Sequence, residues 1–449
     1  MKLKKLVALL LCAAVMLPLA ACVKKPGGSE NSSGTSSSES TTVTPTKDKD
    51  TSIVATDKSR KGPAVQDLMK GITKGKGVSK KPDSRFENAA ASFALDLFRD
   101  EYKSGRKTLV SPLSVFTALA MTQNGAEDRT LSEMQKTLGG LDRDVLNAYM
   151  NAYLAELTGK DSALKCANSL WIDSRLDVKT SFLQKNADFY SAQAYKADFT
   201  RKNTVNEINS WVNKNTNGMI KKLVDEFDPL TVMVLMNALC LEAEWDDPYT
   251  DNCVREGTFK NANGNLVKAE YMYSQETEYI ETENATGFVK YYKGGKFAFV
   301  ALLPNEGTSI DSYIASLTGK GFLGALNSRK NTQVNTQMPK FKCEYSNSLV
   351  NTLKKMGMGT AFDENKANFS SIADNSNGNI FIGEVIHKTF IEVAEKGTRA
   401  GAVTAVISEK SAAMPVEQPK EVRLTRPFVY AIIDTQTNLP LFIGAQTDI

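Results

Sequence analysis

The sequence predicts an α+β domain with large, mostly antiparallel sheets. Apolar residues recur at helical spacing in the first part of the folded region, whereas apolar runs of strand length prevail further along the chain. Of the 449 residues, 41% are hydrophobic and 24% are charged, as in ordinary soluble globular proteins. The chain can therefore bury a large core.

Three helices are predicted before the first long strand. The first covers 88–102, where apolar side chains recur every three or four residues. Ser111 is a suitable N-cap for the second helix, and Pro112 suits its first turn. The third helix covers 131–138 and ends at the glycines 139–140.

The strongest strand signals follow these helices. Residues 232–241 form a long apolar run, which is typical of a central strand that is buried on both faces. Residues 297–303 and 428–434 have the same character. No internal repeat is visible, so these strands belong to one large domain.

Charge and residue content exclude several classes of protein. The formal net charge is only +4, which does not favour a nucleic-acid partner. The sole histidine is His387, so a metal site built on several imidazoles is excluded, and a Ser-His-Asp triad would require this residue. The cysteines form no zinc-binding pair, and no phosphate-binding loop or nucleophile elbow occurs. We expect neither a metal nor another cofactor.

Residues 1–21 predict an export signal. Three lysines precede an apolar stretch that is shorter than the roughly 20 residues needed to span a bilayer, and small residues precede Cys22. The stretch resembles a bacterial lipoprotein signal peptide. The resemblance implies that Cys22 is lipidated, that the membrane is a partner through this lipid, and that the protein is extracellular and anchored to the bacterial cell membrane.

The segment 22–85 is rich in serine, threonine, glycine and lysine. Such a composition buries too little apolar surface to offset the entropy of ordering. We interpret it as a flexible tether with a root-mean-square span on the order of 40 Å. The folded domain is predicted to cover 86–449.

A series of short segments of this domain carries a family resemblance. They are Val110–Ser114, Asn124–Ala126, Thr130, Ala167–Trp171, Ile208–Val212, Thr216–Ile220, Met236–Ala238, Glu244–Trp245, Met338–Phe341, Leu353–Met358, Glu384–Lys388, Glu395–Thr398 and Arg426–Phe428. Together, in this order and at this spacing, they resemble the serpins. The resemblance covers 88–449. It implies a large, mostly antiparallel main sheet, smaller sheets, surrounding helices and an exposed reactive loop at about 395–421.

The serpin resemblance makes the start of this loop a hinge. In the family a protease cuts the loop, and the N-terminal arm of the loop inserts into the main sheet as a new strand. The residues that would belong to the hinge are Glu395, Gly397, Thr398, Ala400, Ala402 and Thr404.

The hinge sequence passes a physical test, because alternate side chains of a strand face opposite sides. If Thr398 faces inward, so do Ala400, Ala402, Thr404, Val406 and Ser408, all of them small or β-branched and uncharged. Arg399 and Glu409 fall on the outward face, where their charges stay in water. Gly397 tolerates the backbone angles of a pivot.

The position of the cut has three candidates. Counting from Gly397 in the family's usual register favours the bond Ser411–Ala412, whereas counting back from Arg426–Phe428 gives Ala412–Ala413. A trypsin-like protease would instead cut after Lys410. Small residues at the bond suit elastase-like or subtilisin-like proteases, which have shallow pockets.

A sheet-opening cluster is also implied by the resemblance. His387 would bond to polar neighbours where the main sheet opens, and the matching neighbours are Ser111, Ser114 and Asn209. Trp245 would lie at the upper opening, together with Glu395. A satisfied buried polar cluster can hold a sheet shut and form again after it opens.

The expected function is inhibition of a serine-type endopeptidase by a suicide-substrate mechanism, with no catalytic residue in this chain. The expected partner is an elastase-, subtilisin- or trypsin-like protease, and we expect a monomer. The alternative is a non-inhibitory serpin that acts as a surface binding protein. An enzyme such as an esterase is disfavoured because it would depend on His387 without a nucleophile elbow.

Overall fold

The computed structural model describes residues 63–159, 162–228, 230–374, 379–398 and 418–449. Most of the predicted reactive loop and the predicted signal peptide lie outside these ranges. No helix among the described residues is long and apolar enough to cross a membrane. The same ranges contain no group of three or more histidine, cysteine, aspartate or glutamate side chains that could hold a metal ion.

Helices dominate the N-terminal part of the described chain, as predicted. They are α1 (Ser84–Glu101), α2 (Pro112–Thr122), α3 (Asp128–Thr137), α4 (Arg143–Leu157), α5 (Thr180–Tyr190), α6 (Lys202–Asn215), α7 (Ile310–Ser316), α8 (Gly319–Asn327) and the short α9 (Val350–Leu353), which continues in irregular helical turns to Phe362. Asp83 caps α1 through its carboxylate, and Pro112 occupies the first turn of α2.

The strands assemble into two sheets. The main sheet has the order β1 (Val65–Asp67), β4 (Gln193–Ala197), β3 (Leu164–Asp173), β5 (Met233–Leu241), β13 (Glu384–Ala394), β14 (Gly397–Thr398) and β6 (Ala243–Glu244), and β12 (Phe341–Ser348) also pairs with β13. Three pairs of strands in the described chain are parallel, namely β3 with β4, β5 with β13, and one pair of the second sheet.

The second sheet lies at the core of the other half of the fold. Its order is β15 (Lys420–Arg423), β11 (Lys330–Pro339), β8 (Leu266–Glu281), β9 (Ala285–Tyr291), β10 (Phe297–Pro304), β16 (Phe428–Asp434), β17 (Pro440–Gln446) and β2 (Thr108–Val110), with β7 (Val254–Lys260) paired to β8. Strands β10, β16 and β17 are buried along their whole length, which explains their continuous apolar runs.

The run 232–241 becomes β5, a strand inside the main sheet, and this confirms its prediction as a central strand. It pairs along its whole length with β3. On its other side it meets β13 at only two positions, Glu384 with Val234 and Val385 with Leu235. The different pairing of the two edges is the feature on which the candidate site depends.

The prediction of a flexible tether over 22–85 is wrong for its C-terminal part. Strand β1 pairs with β4 at the outer edge of the main sheet, and Leu68, Met69 and Ile72 pack against the core. The backbone N–H of Lys80 donates to the carbonyl of Ala148 in α4. The polar composition concealed these contacts in part, since several of them are backbone hydrogen bonds, which any sequence can make.

Candidate functional site

A gap between two neighbouring strands of the main sheet is the candidate site. Beyond their two paired positions, β5 continues to Leu241 and β13 continues to Ala394, and the described residues show no further pairing between them. Residues 386–392 of β13 are therefore not in ladder register with β5, and we call this stretch between the two strands the gap. A position where two neighbouring strands of a sheet are not paired with each other can accept another strand.

The short strand β14 occupies the wide end of this gap. Gly397 and Thr398 pair with Ala394 and Val393 of β13, and they also pair with β6 on the opposite side. The predicted hinge thus begins inside the sheet, in antiparallel register with β13. Thr398 is only 3% exposed, and its hydroxyl hydrogen-bonds that of Tyr292.

Gly397 is required at the start of β14 for two reasons. Its φ of +150° lies in a region that favours glycine, and a Cβ at this position would come 2.0 Å from the carbonyl oxygen of Ala243. The backbone angle and the close approach of Ala243 together require glycine at position 397. Any side chain there would push β14 away from β6.

Glu395 fixes the turn that leads into β14. Its carboxylate accepts a hydrogen bond from Nζ of Lys340 at 2.7 Å, and the same ammonium lies 3.0 Å from the carboxylate of Glu270. Burial acts to raise the pKa of Glu395, but the hydrogen bond from Lys340, a backbone hydrogen bond and the charges of Lys340 and Lys396 together outweigh it, so the pKa lies below its ordinary value. The backbone carbonyl of Glu395 accepts from the N–H of Tyr249.

Trp245 lies at the end of the gap that β14 occupies. Its indole N–H donates to the carbonyl of Ala394 at 2.8 Å, and its ring stacks on Tyr292 at 4.4 Å. The side chain is 1% exposed. Trp245 and Tyr292 therefore hold both the end of β13 and the hydroxyl of Thr398.

His387 lies at the narrow end of the gap and is 3% exposed. Its Nε2 accepts a hydrogen bond from the backbone N–H of Ser111 at 3.1 Å, and the hydroxyl of Ser111 donates to the carbonyl of Leu441. Ser114 is buried in the first turn of α2, which begins directly after Ser111. The structure thus brings His387 and Ser111 together, at the N-terminus of α2.

Burial keeps the imidazole of His387 neutral. Desolvation lowers its pKa from 6.5 to about 4. A neutral imidazole retains an acceptor nitrogen, and this is the atom that the N–H of Ser111 requires. Two residues further along β13, the hydroxyl of Thr389 donates to the carbonyl of Leu109 at 2.8 Å and adds a second polar anchor.

The prediction that Asn209 is a neighbour of His387 needs correction. Asn209 lies in α6, where its Oδ1 accepts from the backbone N–H groups of Leu223 and Val224 and its Nδ2 donates to the carbonyl of Val224. The carboxamide is thus occupied by the loop that follows α6. Its role is to hold that loop against the helix.

Sequence reasoning missed two residues that contact the predicted site. Tyr292 follows a strand of the second sheet, and Lys340 separates β11 from β12, so both come from distant parts of the chain. Lys340 belongs to the segment Met338–Phe341 that carried the family resemblance, and this was the available signal. No sequence motif identifies Tyr292, because its contacts with Trp245 and Thr398 depend on how the two sheets pack together.

The remaining predicted site residues lie outside the described ranges. They are Ala400, Ala402, Thr404, Lys410, Ser411, Ala412 and Ala413, together with Cys22. The chain is described again from residue 418, shortly before β15, which runs parallel to β11. The predicted loop therefore connects the main sheet with the edge of the second sheet.

The buried His387 predicts a specific dependence of stability on pH. Because its pKa is lower in the folded protein than in the unfolded chain, the unfolded chain binds the proton first as the pH falls below 6.5. The free energy of unfolding should then decrease by up to about 1.4 kcal/mol per pH unit until the pH approaches 4. The variant His387→Gln should lack this contribution.

Urea denaturation of both proteins between pH 7 and pH 5 measures this effect. Since the chain has one histidine, the difference between the two stability curves isolates its titration. Curves that stay parallel over this range would show that His387 is not held neutral by burial.

Comparisons with known proteins agree with this geometry. Residues 88–449 match the family model described as serpin (serine protease inhibitor). An uncharacterized serpin-like protein of Thermococcus kodakarensis is 32% identical, over 80% of this chain and 84% of the relative. Serpin B6 of Pongo abelii is 31% identical, over 79% of this chain and 97% of its own length.

Solved structures give the same result. The native state of tengpin, a thermophilic serpin, is 42% identical and superposes with a TM-score of 0.82, covering 86% of this chain and 100% of that structure. The latent state of tengpin superposes with a TM-score of 0.73 at 39% identity and covers 83% of this chain and 100% of that structure. The chain belongs to the serpin family.

Proposed function

We propose that the chain inhibits a serine-type endopeptidase by acting as its suicide substrate. The protease cuts the loop at about 395–421, and the N-terminal arm of the loop then fills the gap between β5 and β13. One observation carries this proposal: β14 already occupies the wide end of the gap in antiparallel register with β13.

The register of β14 predicts where the inserted residues would lie. Thr398 is paired with Val393, so each further step along the loop would match one step back along β13. Positions on the buried face of β13 would receive small loop residues. The expected pairs are Ala400 with Ile391, Ala402 with Thr389, and Thr404 with His387.

The same register would keep the charged loop residue on the outer face. Residues of β13 alternate between buried and half-buried positions, and Glu392 and Lys388 are half-buried. Arg399 would lie opposite Glu392, and Val403 would lie opposite Lys388. Opposite charges on facing positions of neighbouring strands are favourable, so insertion would bury no unpaired charge.

Insertion would complete the hydrogen bonding of both strands. Each new backbone bond contributes about 1 kcal/mol, so a strand that spans the gap contributes several kcal/mol in total. The inward residues 400, 402 and 404 are small, so they need little additional space in a packed core. The resting protein would therefore store the free energy that drives the inhibitory step.

The chemistry belongs to the protease. Its serine would attack the carbonyl carbon of the residue before the cut, forming an acyl ester and releasing the new amino terminus. We favour the bond Ser411–Ala412, with Lys410–Ser411 and Ala412–Ala413 as alternatives. Insertion would then carry the esterified protease along the sheet and distort its active site before water can hydrolyse the ester.

The first test mixes the purified protein with elastase, subtilisin or trypsin and follows the products on a denaturing gel. We expect a covalent complex that survives boiling with at least one of them, and the mass of the released C-terminal peptide identifies the bond. Clean cleavage without this complex, and without a gain in heat stability, would instead indicate a non-inhibitory binding protein.

The second test places one charge on each face of the predicted inserted strand. Thr404→Glu should convert the inhibitor into a substrate, because burying an unpaired carboxylate costs several kcal/mol. Val403→Glu is the matched control, since its carboxylate would face Lys388 at the surface, and it should retain inhibition. The measurement is the number of inhibitor molecules consumed for each protease molecule trapped. Equal losses in both variants would contradict the proposed register.

We also propose that the protein is anchored to the outer face of a bacterial membrane by a lipid on Cys22. The support is the export signal at 1–21, with small residues directly before Cys22. An anchored inhibitor would act on proteases that reach the cell surface from outside.

Cell fractionation of the native chain and of Cys22→Ser tests the anchor. The native protein should sediment with membranes and enter a detergent phase, whereas the variant should not, because it lacks the lipidated thiol. Equal solubility of the two forms would remove the anchor and, with it, the support for action at the surface.

A further inference from the structure

A polar crevice lies at the edge of the main sheet, near the strands β3 and β4. It has a volume of about 220 Å³ and is bordered by α4, by the end of α5, by the last residue of α6 and by Lys74 of the segment that precedes α1. Drug-sized ligands occupy about 300–1,000 Å³, so the crevice suits a smaller molecule.

The lining of this crevice is unusually rich in carboxamides. Four of them contribute to it, namely Asn151, Asn168, Gln193 and Asn215. Three hydroxyl groups and the ammonium group of Lys74 complete the polar lining, and none of the described lining residues is acidic. Carboxamides offer a donor and an acceptor side by side, which is the arrangement that hydroxyl groups of a ligand require.

Gln193 has hydrogen-bonding capacity left for a ligand. Its Oε1 accepts from the indole N–H of Trp211 and from the hydroxyl of Tyr195, so these bonds leave its NH₂ group to donate elsewhere. Gln193 is exposed, and the neighbouring Trp211 is 8% exposed. A ligand bound to this carboxamide would alter the surroundings of the Trp211 indole.

Other polar groups of the lining complement Gln193. Nδ2 of Asn215 donates to the carbonyl of Trp211 at 2.8 Å, which leaves the amide oxygen of Asn215 as an acceptor. The hydroxyl of Tyr190 is instead occupied inside the core, where it donates to Oδ1 of the buried Asn147 at 2.6 Å.

One positive charge borders this polar lining. Nζ of Lys74 donates to the hydroxyl of Ser191 at 2.9 Å and retains two further hydrogens. The nearby Asp188 is occupied, since its Oδ1 accepts from the backbone N–H of Gly75 and from Nε2 of Gln184. The crevice thus combines one ammonium group with donors and acceptors that suit hydroxyl groups.

We propose that this crevice binds a small hydroxylated carboxylate of the sugar-acid class. The carboxylate pairs with the ammonium of Lys74, and the hydroxyl groups bond to Gln193 and Asn215. The occupied crevice links β4 to the end of α6 and to the segment before α1. Binding therefore stabilises the intact protein, independently of any protease.

The test titrates the full-length protein with sodium glucuronate and records tryptophan fluorescence and the unfolding temperature. The fluorescence of Trp211 should report binding, because its indole N–H donates to Gln193. The ring centroid of Trp171 lies 6.5 Å from that of Trp211. We expect a saturable change in emission and a rise in the unfolding temperature. Glucose, which lacks the carboxylate, should bind at least about tenfold more weakly, because one charge-assisted hydrogen bond is lost.

Two variants and a salt control identify the site. Lys74→Gln should remove the preference for glucuronate over glucose, whereas the matched control Lys76→Gln, which is exposed and outside the lining, should keep it. Asn215→Ala should weaken both sugars. The proposal is overturned if sodium chloride at the same concentration reproduces the response, if no saturable response occurs, or if Lys74→Gln and Asn215→Ala bind glucuronate as the native protein does.

Discussion

The incomplete pairing between β5 and β13 is the constraint on which the rest of the structure depends. The two strands meet at Glu384–Val234 and Val385–Leu235 and then diverge. Paired backbone groups stabilise a sheet, so a stretch where two neighbouring strands are not paired with each other adds little to its stability. Two residues of β14 and the indole of Trp245 lie at one end of this stretch, beside Val393 and Ala394. The insertion that we propose would take place between these two strands.

Polar contacts beside the gap attach β13 to neighbouring elements of the fold. His387 accepts from the N–H of Ser111, and Thr389 donates to the carbonyl of Leu109, so β13 is attached to α2 and to β2 at two positions of its buried face. Apolar packing alone would let neighbouring elements slide, whereas a buried hydrogen bond has one favourable geometry. In the proposed inserted state these bonds could form again. They join β13 to Ser111 and Leu109, so they do not involve the side of β13 that faces β5. Burial of His387 keeps this arrangement intact at neutral pH, since the acceptor nitrogen is unprotonated there.

Much of this site could be predicted from the sequence, for reasons that differ between residues. The central position of β5 follows from its apolar run, and the need for glycine at position 397 follows from a backbone contact with Ala243 that no side chain could tolerate. The predicted tether extends too far along the chain, because the backbone pairing of β1 with β4 leaves no mark on composition. Asn209 was assigned to the wrong partner for a related reason. A carboxamide can bond to any backbone nearby, and only the path of the loop at 223–224 decides which one.

The alternation of small and charged residues after Thr398 can be interpreted only together with the alternation of buried and half-buried residues along β13. Taken alone, a run of small residues is equally compatible with an ordinary loop. The register that β14 has already established would bring every inward residue from 400 to 404 opposite a buried position, and Arg399 opposite the carboxylate of Glu392. Glu392 now pairs with Lys342 of β12, so an arriving arginine would join an existing ion pair at the surface rather than neutralise a buried charge. In the proposed inserted state, the arm of the loop would match the gap in side-chain size, in polarity and in charge. A loop that is only cut would need none of these correspondences, so they support the proposal that the loop inserts between β5 and β13.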